Sequence, residues 1–494
     1  MAVLGGDKRI ADAPDAQRLL EEQEKLNALL AAAAQPDINR LSALLDDGLA
    51  VDHRRAGGPT ALMAAAEAGH AEVIQYLLDR GAAVDLATTR GTTALMYAAH
   101  RKQLDALKCL LAAGASVDAR DNDGATALTH AAAHDLSAGG TAVAFLIDAL
   151  VDAGADINGL SNDGSSALSL AVYLQRPDAA RRLLSHGTDP NQTYHNGTSP
   201  LMIASERGYL EIVEDLIAGG ATIDAVDTNG FTALMFASSE GHQEVVIALL
   251  TAGAAVDAQC PSGNTSLWYA CLKNRASVVR TLLQHGASVD NLGPDTGSVL
   301  LTALTQGHEE VAGFLVRKGA AADSLGEDGR SALLVAVQKG FRTLIPMLLE
   351  AGANPNQASA DGTTPLLQAA LAGDEDTVRL LLEAGAEVEA RNEKGMTALL
   401  TSAETGNSTM VQALVKSGAD VGAALPDGNT ALHLAVSSQR ASLCRDLLDL
   451  DAPLNARNDR GETPLLLAVQ LKLKDIALAL LAKGPTRMPA HMMD

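Results

Sequence analysis

Large side chains are scarce in this sequence. Its 494 residues include one Trp, six Tyr and five Phe, although 47% of the chain is hydrophobic. A core built mainly from Ala, Leu, Val and Gly is poorly suited to a deep globular interior and well suited to thin, closely spaced helical layers. Cysteine is equally sparse. Cys109, Cys260, Cys271 and Cys444 form no C-x-x-C, so neither a zinc knuckle nor a thiol redox pair is indicated. No apolar run reaches the roughly 18 residues of a membrane span. Cations are outnumbered, with 37 Lys plus Arg against 60 Asp plus Glu and a formal charge of −23, which argues against a phosphate-backbone partner. The chain lacks a Gly-Lys dipeptide, an H-E-x-x-H and a G-x-S-x-G, so no catalytic residue, cofactor or small-molecule substrate is assigned. Its first residues, MAVLGGDKRIADAPDAQ, contain no apolar leader core, and a reducing cytoplasmic location is expected. There the sequons at Asn191, Asn196, Asn264 and Asn407 would remain unmodified.

What the sequence does contain is a repeat. A small hydroxyl residue followed two places later by Leu recurs at Thr60, Thr93, Thr126, Ser166, Ser199, Thr232, Thr265, Ser298, Ser331, Thr364, Thr397, Thr430 and Thr463. Every step is 33 residues except the one from Thr126 to Ser166, which is 40. Gly stands two places before each anchor except at Thr296, where Gly297 has slipped by one. Each unit reads as a turn, a Thr or Ser helix cap, a short helix, a break such as Gly69-His70 or Gly241-His242, and a second helix. That second helix ends at a Gly such as Gly81, Gly114, Gly253, Gly286 or Gly385. One such unit cannot bury its own apolar stripe, but stacked neighbours can.

The segments Thr-Ala-Leu-Met-Ala-Ala (60–65), Ser-Pro-Leu-Met-Ile-Ala (199–204), Thr-Pro-Leu-Leu-Gln-Ala (364–369) and Thr-Ala-Leu-His-Leu-Ala (430–435) resemble the T-P-L-H-x-A core of the ankyrin repeat family. The resemblance covers residues 57–484. It implies an all-α repeat protein, a curved solenoid of helix-turn-helix units joined by short β-hairpin loops. Only His433 keeps the family's His, so apolar contacts are expected to replace the usual His-mediated link between hairpins. The expected organisation is an N-terminal extension (1–25) with a short helix at Asp15–Glu24, a capping repeat (26–56), thirteen repeats (57–484) and a tail (485–494). Lysines in 465–475 are read as replacing apolar residues to cap the far end, and about seven inserted residues near 134–140 fall between the two helices of the third repeat.

The resemblance also implies a protein partner on the concave side, made of hairpin tips and first helices. Seven aromatics lie between residues 173 and 269. By register, Tyr173, Tyr194 and Phe231 are expected exposed on that side with Trp268 at its edge, and Phe236 and Tyr269 in the core. Tyr173, Tyr194, Phe231 and Trp268, with His195, Arg101 and Arg207, form the candidate partner-binding set. Asp123, Asp163, Asp328, Asp361 and Asp427, each just before a turn Gly, give an acidic row suited to a partner with a basic surface, and also the chemistry of Asx-turns. Cys260 is expected at an exposed hairpin tip. His130 and His134 share metal-ligand spacing, but no second ligand pair accompanies them, so no metal is assigned. The expected function is a non-catalytic scaffold or adaptor. The alternative is a stoichiometric inhibitor or chaperone of one client, or a bacterial effector.

Overall fold

The computed structural model describes residues 14–133, 140–290, 298–326 and 328–484. It is all-helical: among the described residues, pairing of extended backbone is limited to two isolated antiparallel bridges, Leu325 with Ser331 and Ala424 with Thr430. The expected β-hairpins are therefore tight turns. In the second repeat Gly91 N–H donates to the Thr88 carbonyl at 2.9 Å and Thr88 N–H to the Thr92 carbonyl at 3.0 Å. Thirteen helix pairs follow one another from Ala61–Ala68 with Ala71–Asp79 to Pro464–Gln470 with Lys474–Lys483. They fall into two compact units that divide between Ala255 and Val256.

The local signals act as the sequence suggests. Thr60 Oγ1 accepts from Met63 N–H at 3.3 Å, and the same cap recurs at Ser199, Thr265 and Thr397. The first helix ends on a left-handed Gly, such as Gly241 at φ +89°, and the second on a Schellman turn, in which Ala82 N–H reaches the Leu77 carbonyl at 3.0 Å. Leu62, Ala65, Val73 and Leu77 of the first repeat are fully buried, as are their counterparts in later repeats.

The missing family His is replaced only partly by apolar side chains: Leu301, Leu334, Leu367, Leu400 and Leu466 stand at its place, but several other repeats carry an acceptor there. At Met63, Met96 and Met202 the thioether sulfur accepts the N–H of the cap residue at 3.4 Å, and at Thr129 and Ser169 the hydroxyl does so at 2.8 Å. The substitutes are thus partly polar. They keep the acceptor role of the ring; the hydroxyls also donate, but back to their own caps, Thr129 to the Thr126 carbonyl at 2.7 Å and Ser169 to the Ser166 carbonyl at 3.0 Å. His433 does both: its Nδ1 accepts from Thr430 N–H at 3.2 Å while its Nε2 lies 3.1 Å from the Glu462 carbonyl of the next hairpin. Elsewhere hairpins are joined by backbone rungs, for example Asn122 N–H to the Arg90 carbonyl at 2.9 Å and Glu393 N–H to the Asp361 carbonyl at 3.0 Å, and by side-chain amides such as Asn162 Nδ2 to the Asn122 carbonyl at 2.8 Å.

A second ladder runs along the loops after the second helices. Asp52, Asp85, Asp118, Asn158, Asn191 and Asp224 each accept the N–H of a residue in the following loop, at 2.7–3.1 Å, in the first unit. Asp257, Asp290, Asp323, Asn356 and Glu389 do so in the second, at 2.7–3.0 Å. Much of the acidity is therefore structural. Because Asn serves at three rungs, Asp257→Asn should leave urea stability unchanged. Asp257→Ala, which strips the acceptor from Ser288 N–H, should cost about 1 kcal/mol. Equal midpoints for the two variants would remove the ladder's energetic role.

The N-terminal end differs from expectation. A single helix, Pro14–Ala34, runs without a break through residues 25 and 26, where the sequence reading divides an extension from a cap. Leu26, Leu29, Ala32 and Ala33 bury one of its faces, and the Ala34 carbonyl lies 3.0 Å from His70 Nε2. His242 Nε2 meets the Glu206 carbonyl at 2.9 Å in the same way, so this helix holds the place of a first helix. At the far end, Lys472 takes the left-handed position, and Lys474 stands where other repeats carry Ala71, Leu104, Leu210 or Ala276 but also Gln243 and Glu375. Lys474 thus replaces an apolar, half-buried residue of several repeats, while Val469, Leu471, Leu478 and Leu481 remain exposed. Residues 134–139 and the tail 485–494 lie outside the described residues. The helix after the insertion, Gly140–Asp152, has 13 residues where most second helices have nine.

Candidate partner-binding surface

In the first unit, first helices end side by side and present their last residues together. Tyr173 closes Ala167–Tyr173 and Arg207 closes Pro200–Arg207. The Arg207 guanidinium carbon stands 5.3 Å from the Tyr173 ring centroid, a cation–π contact between successive repeats. Tyr173 keeps 50% of its surface exposed. Such a contact contributes only about 0.5–1 kcal/mol at an exposed site, too little to explain a large aromatic left open to water. Arg101 makes the equivalent step onto the first repeat, with Nη2 2.6 Å from Glu67 Oε1 and both side chains solvent-accessible.

The other aromatics are placed differently from the sequence expectation. Tyr194 is half-buried, because it opens a turn: its N–H donates to the Thr198 carbonyl and its carbonyl accepts from Gly197 N–H. His195 is exposed, with its ring lying over Gly164 of the preceding hairpin. Phe231 is also half-buried, with its ring 5.6 Å from that of Phe236 at 39°. Its N–H donates to Asp227 Oδ1 at 2.8 Å, which draws the residue back against the hairpin. Phe236 and Tyr269 are half-buried rather than core residues. In the second unit Trp268 is half-buried and packs edge-on against Tyr269 at 5.0 Å, with its indole N–H buried and unpartnered. Cys260 is buried, not exposed. Its sulfur lies 3.5 Å from the Tyr269 hydroxyl, and burial together with that contact pushes the tyrosine up to about 12.

The acidic hairpin row is largely turned on its own backbone. Asp163 accepts from the Ser161 hydroxyl at 2.6 Å and Ser165 N–H at 3.0 Å, and Asp427 from Asn429 N–H at 3.0 Å. The Ser161 hydroxyl first, and then the Ser165 N–H, hold the Asp163 carboxyl below its ordinary range. The Arg330 N–H does the same for Asp328, and the Ser359 hydroxyl for Asp361. Asp123 differs: its own N–H donates to Asp121 Oδ1, and its carbonyl carries a hairpin rung to Asn162. His130 Nε2 sits 3.2 Å from Asp121 Oδ2 and edge-on to His100 at 5.8 Å, and burial lowers the His100 pKa. His134 lies outside the described residues, and no cluster of three or more metal-binding side chains occurs among the described ones. No helix among them is long and apolar enough to cross a membrane.

The structure thus brings Tyr173 and Arg207 together and leaves Arg101 paired with Glu67. The Asp and Asn ladder escaped the sequence reading, although its signal was an Asp or Asn recurring eight places before the Thr and Ser anchors.

The family model for ankyrin repeats, built on three copies, matches residues 9–88, 29–121, 80–149, 95–194, 134–229, 201–293, 336–424 and 422–487. The chain belongs to the ankyrin repeat family, whose repeats are generally protein–protein interaction modules. Comparison with curated proteins gives no match. The helix pair Val299–Gln306 and Glu309–Arg317 continues the repeat between the matched stretches 201–293 and 336–424.

Proposed function

We propose that this chain is a non-catalytic cytoplasmic scaffold that holds a partner protein with a basic surface against the hairpins and first helices of its first unit. The carrying observation is Tyr173, half exposed and stacked under Arg207 at the junction of two repeats. Tyr and Arg are the residue types on which interface energy concentrates, and neither stacking nor turn chemistry needs an aromatic here. His195 stands exposed on the hairpin of the same repeat as Arg207. The carboxylates of Asp163 and Glu206 lend the surface the sign that favours a cationic partner, and the charge of −23 favours it over nucleic acid. The test is affinity capture from native lysate with mass spectrometry, wild type against Tyr173→Ala. A partner retained by the wild type should be depleted about tenfold or more by the variant, as a hot-spot loss of about 2 kcal/mol requires. Equal capture by both proteins, or none by either, overturns this placement.

A further inference from the structure

The second helices of the same unit carry an apolar groove that the repeat does not require. It runs between the second helices Leu210–Ala218 and Gln243–Thr251, with a volume of about 550 Å³. Ile217 and Ile247 face it, and Ala218, Ala248 and Ala252 keep it open. Ile247 is 40% exposed. At its repeat position five other units carry Lys108, Arg181, Arg280, Arg379 and Arg445, and at the position of Ala218 four carry Gln284, Arg317, Glu350 and Glu383. The stack therefore tolerates long charged side chains at both places, and burial within this chain does not account for the exchange to Ile and Ala. Glu214 and Glu244 rim the groove, both exposed and neither held in an ion pair. The neighbouring carboxylates Glu211 and Asp215 are already taken by Arg181.

The geometry points to a second docking site in this groove, for an amphipathic helix of a partner protein with aliphatic anchors on one face and Lys or Arg beside them. Each flanking helix is nine residues, about 13 Å long, which matches two anchors one turn apart on the incoming helix. Glu214 and Glu244 supply the charge complement and disfavour an acidic segment. The groove is lined by second helices, whereas Tyr173 ends a first helix, so the two sites share no residue.

The probe is a fluorescein-labelled helical peptide of alternating Leu and Lys blocks, roughly 14 residues or ~21 Å long, with a matched Leu–Glu peptide. Both are titrated against the full chain by anisotropy. Ile247→Arg installs the residue that neighbouring repeats already carry, so the fold should be retained, and a thermal melt checks this. The Leu–Lys peptide should saturate the wild type and bind Ile247→Arg about tenfold or more weakly, a loss of about 1.4 kcal/mol. Glu214→Lys with Glu244→Lys should also weaken it, and Tyr173→Ala should leave it unchanged. Undiminished binding to Ile247→Arg, or equal binding of the Leu–Glu peptide, overturns the site.

Discussion

Gly91→Ala should destabilise the first unit by about 3 kcal/mol or more, while Gly81→Ala should cost only about 1 kcal/mol. Both glycines are left-handed, at φ +81° and +85°, so each would strain an Ala backbone similarly. They differ in surroundings. A Cβ on Gly81 would meet open space, whereas one on Gly91 would stand 2.8 Å from Asp121 Cα and 3.0 Å from Asn122 N. Those atoms are backbone of the next hairpin and cannot rotate away. The hairpins would have to separate, stretching the rung from Asn122 N–H to the Arg90 carbonyl. Gly428 is the same case in the second unit, with Asn458 Cα 2.8 Å from its Cβ position. Because each repeat is stabilised chiefly by its neighbours, the Gly91 variant should also broaden the urea transition followed by helical circular dichroism. Equal midpoints for Gly91→Ala and Gly81→Ala would show that the hairpins are not in close contact.

That contrast marks what could be read in advance. The Thr and Ser anchors, the Leu two places on and the helix-ending Gly residues are local signals, and each does in the structure what cap and turn chemistry dictates. Exposure at the hairpins is not local. Tyr194 and Phe231 occupy tip positions by register, yet the turn bonds of one and the Phe236 contact of the other draw them halfway under the surface. Cys260 is hidden for a related reason, because Tyr269 of the following helix covers its sulfur. The acids misled in another way. Their number suggested a binding surface, but Asp52, Asp85, Asp257 and their counterparts hold loop to loop through bonds spanning about one repeat, which no single-repeat reading displays. Tyr173 was legible because it ends a helix, where register alone fixes which way a side chain leaves the stack.

Replacing Lys102, Gln175, Gln439 and Lys472 together by Gly should raise stability by about 2–4 kcal/mol. These residues have φ between 56° and 61°. All four stand where other repeats end the first helix with Gly69, Gly208, Gly241 or Gly307. A left-handed backbone costs a residue with a Cβ roughly 1–2 kcal/mol, and the greater freedom of Gly in the unfolded chain returns part of that gain. The net is about 0.5–1 kcal/mol per site, and the sites are far enough apart for their effects to add. Asn274 and Asp451 share the conformation at φ 57° and 61°, the first at this position and the second where Gly418 ends a second helix. Asn and Asp tolerate it best among non-glycine residues, so Asn274→Gly and Asp451→Gly should move the urea midpoint much less than Gln175→Gly or Gln439→Gly. A Gln175→Gly variant no more stable than the wild type would mean that the Gln side chain contributes contacts worth as much as the strain. The order of the single variants separates that outcome from a loss of the helix end itself, since Gly already closes the same turn at φ +75° in the very next repeat.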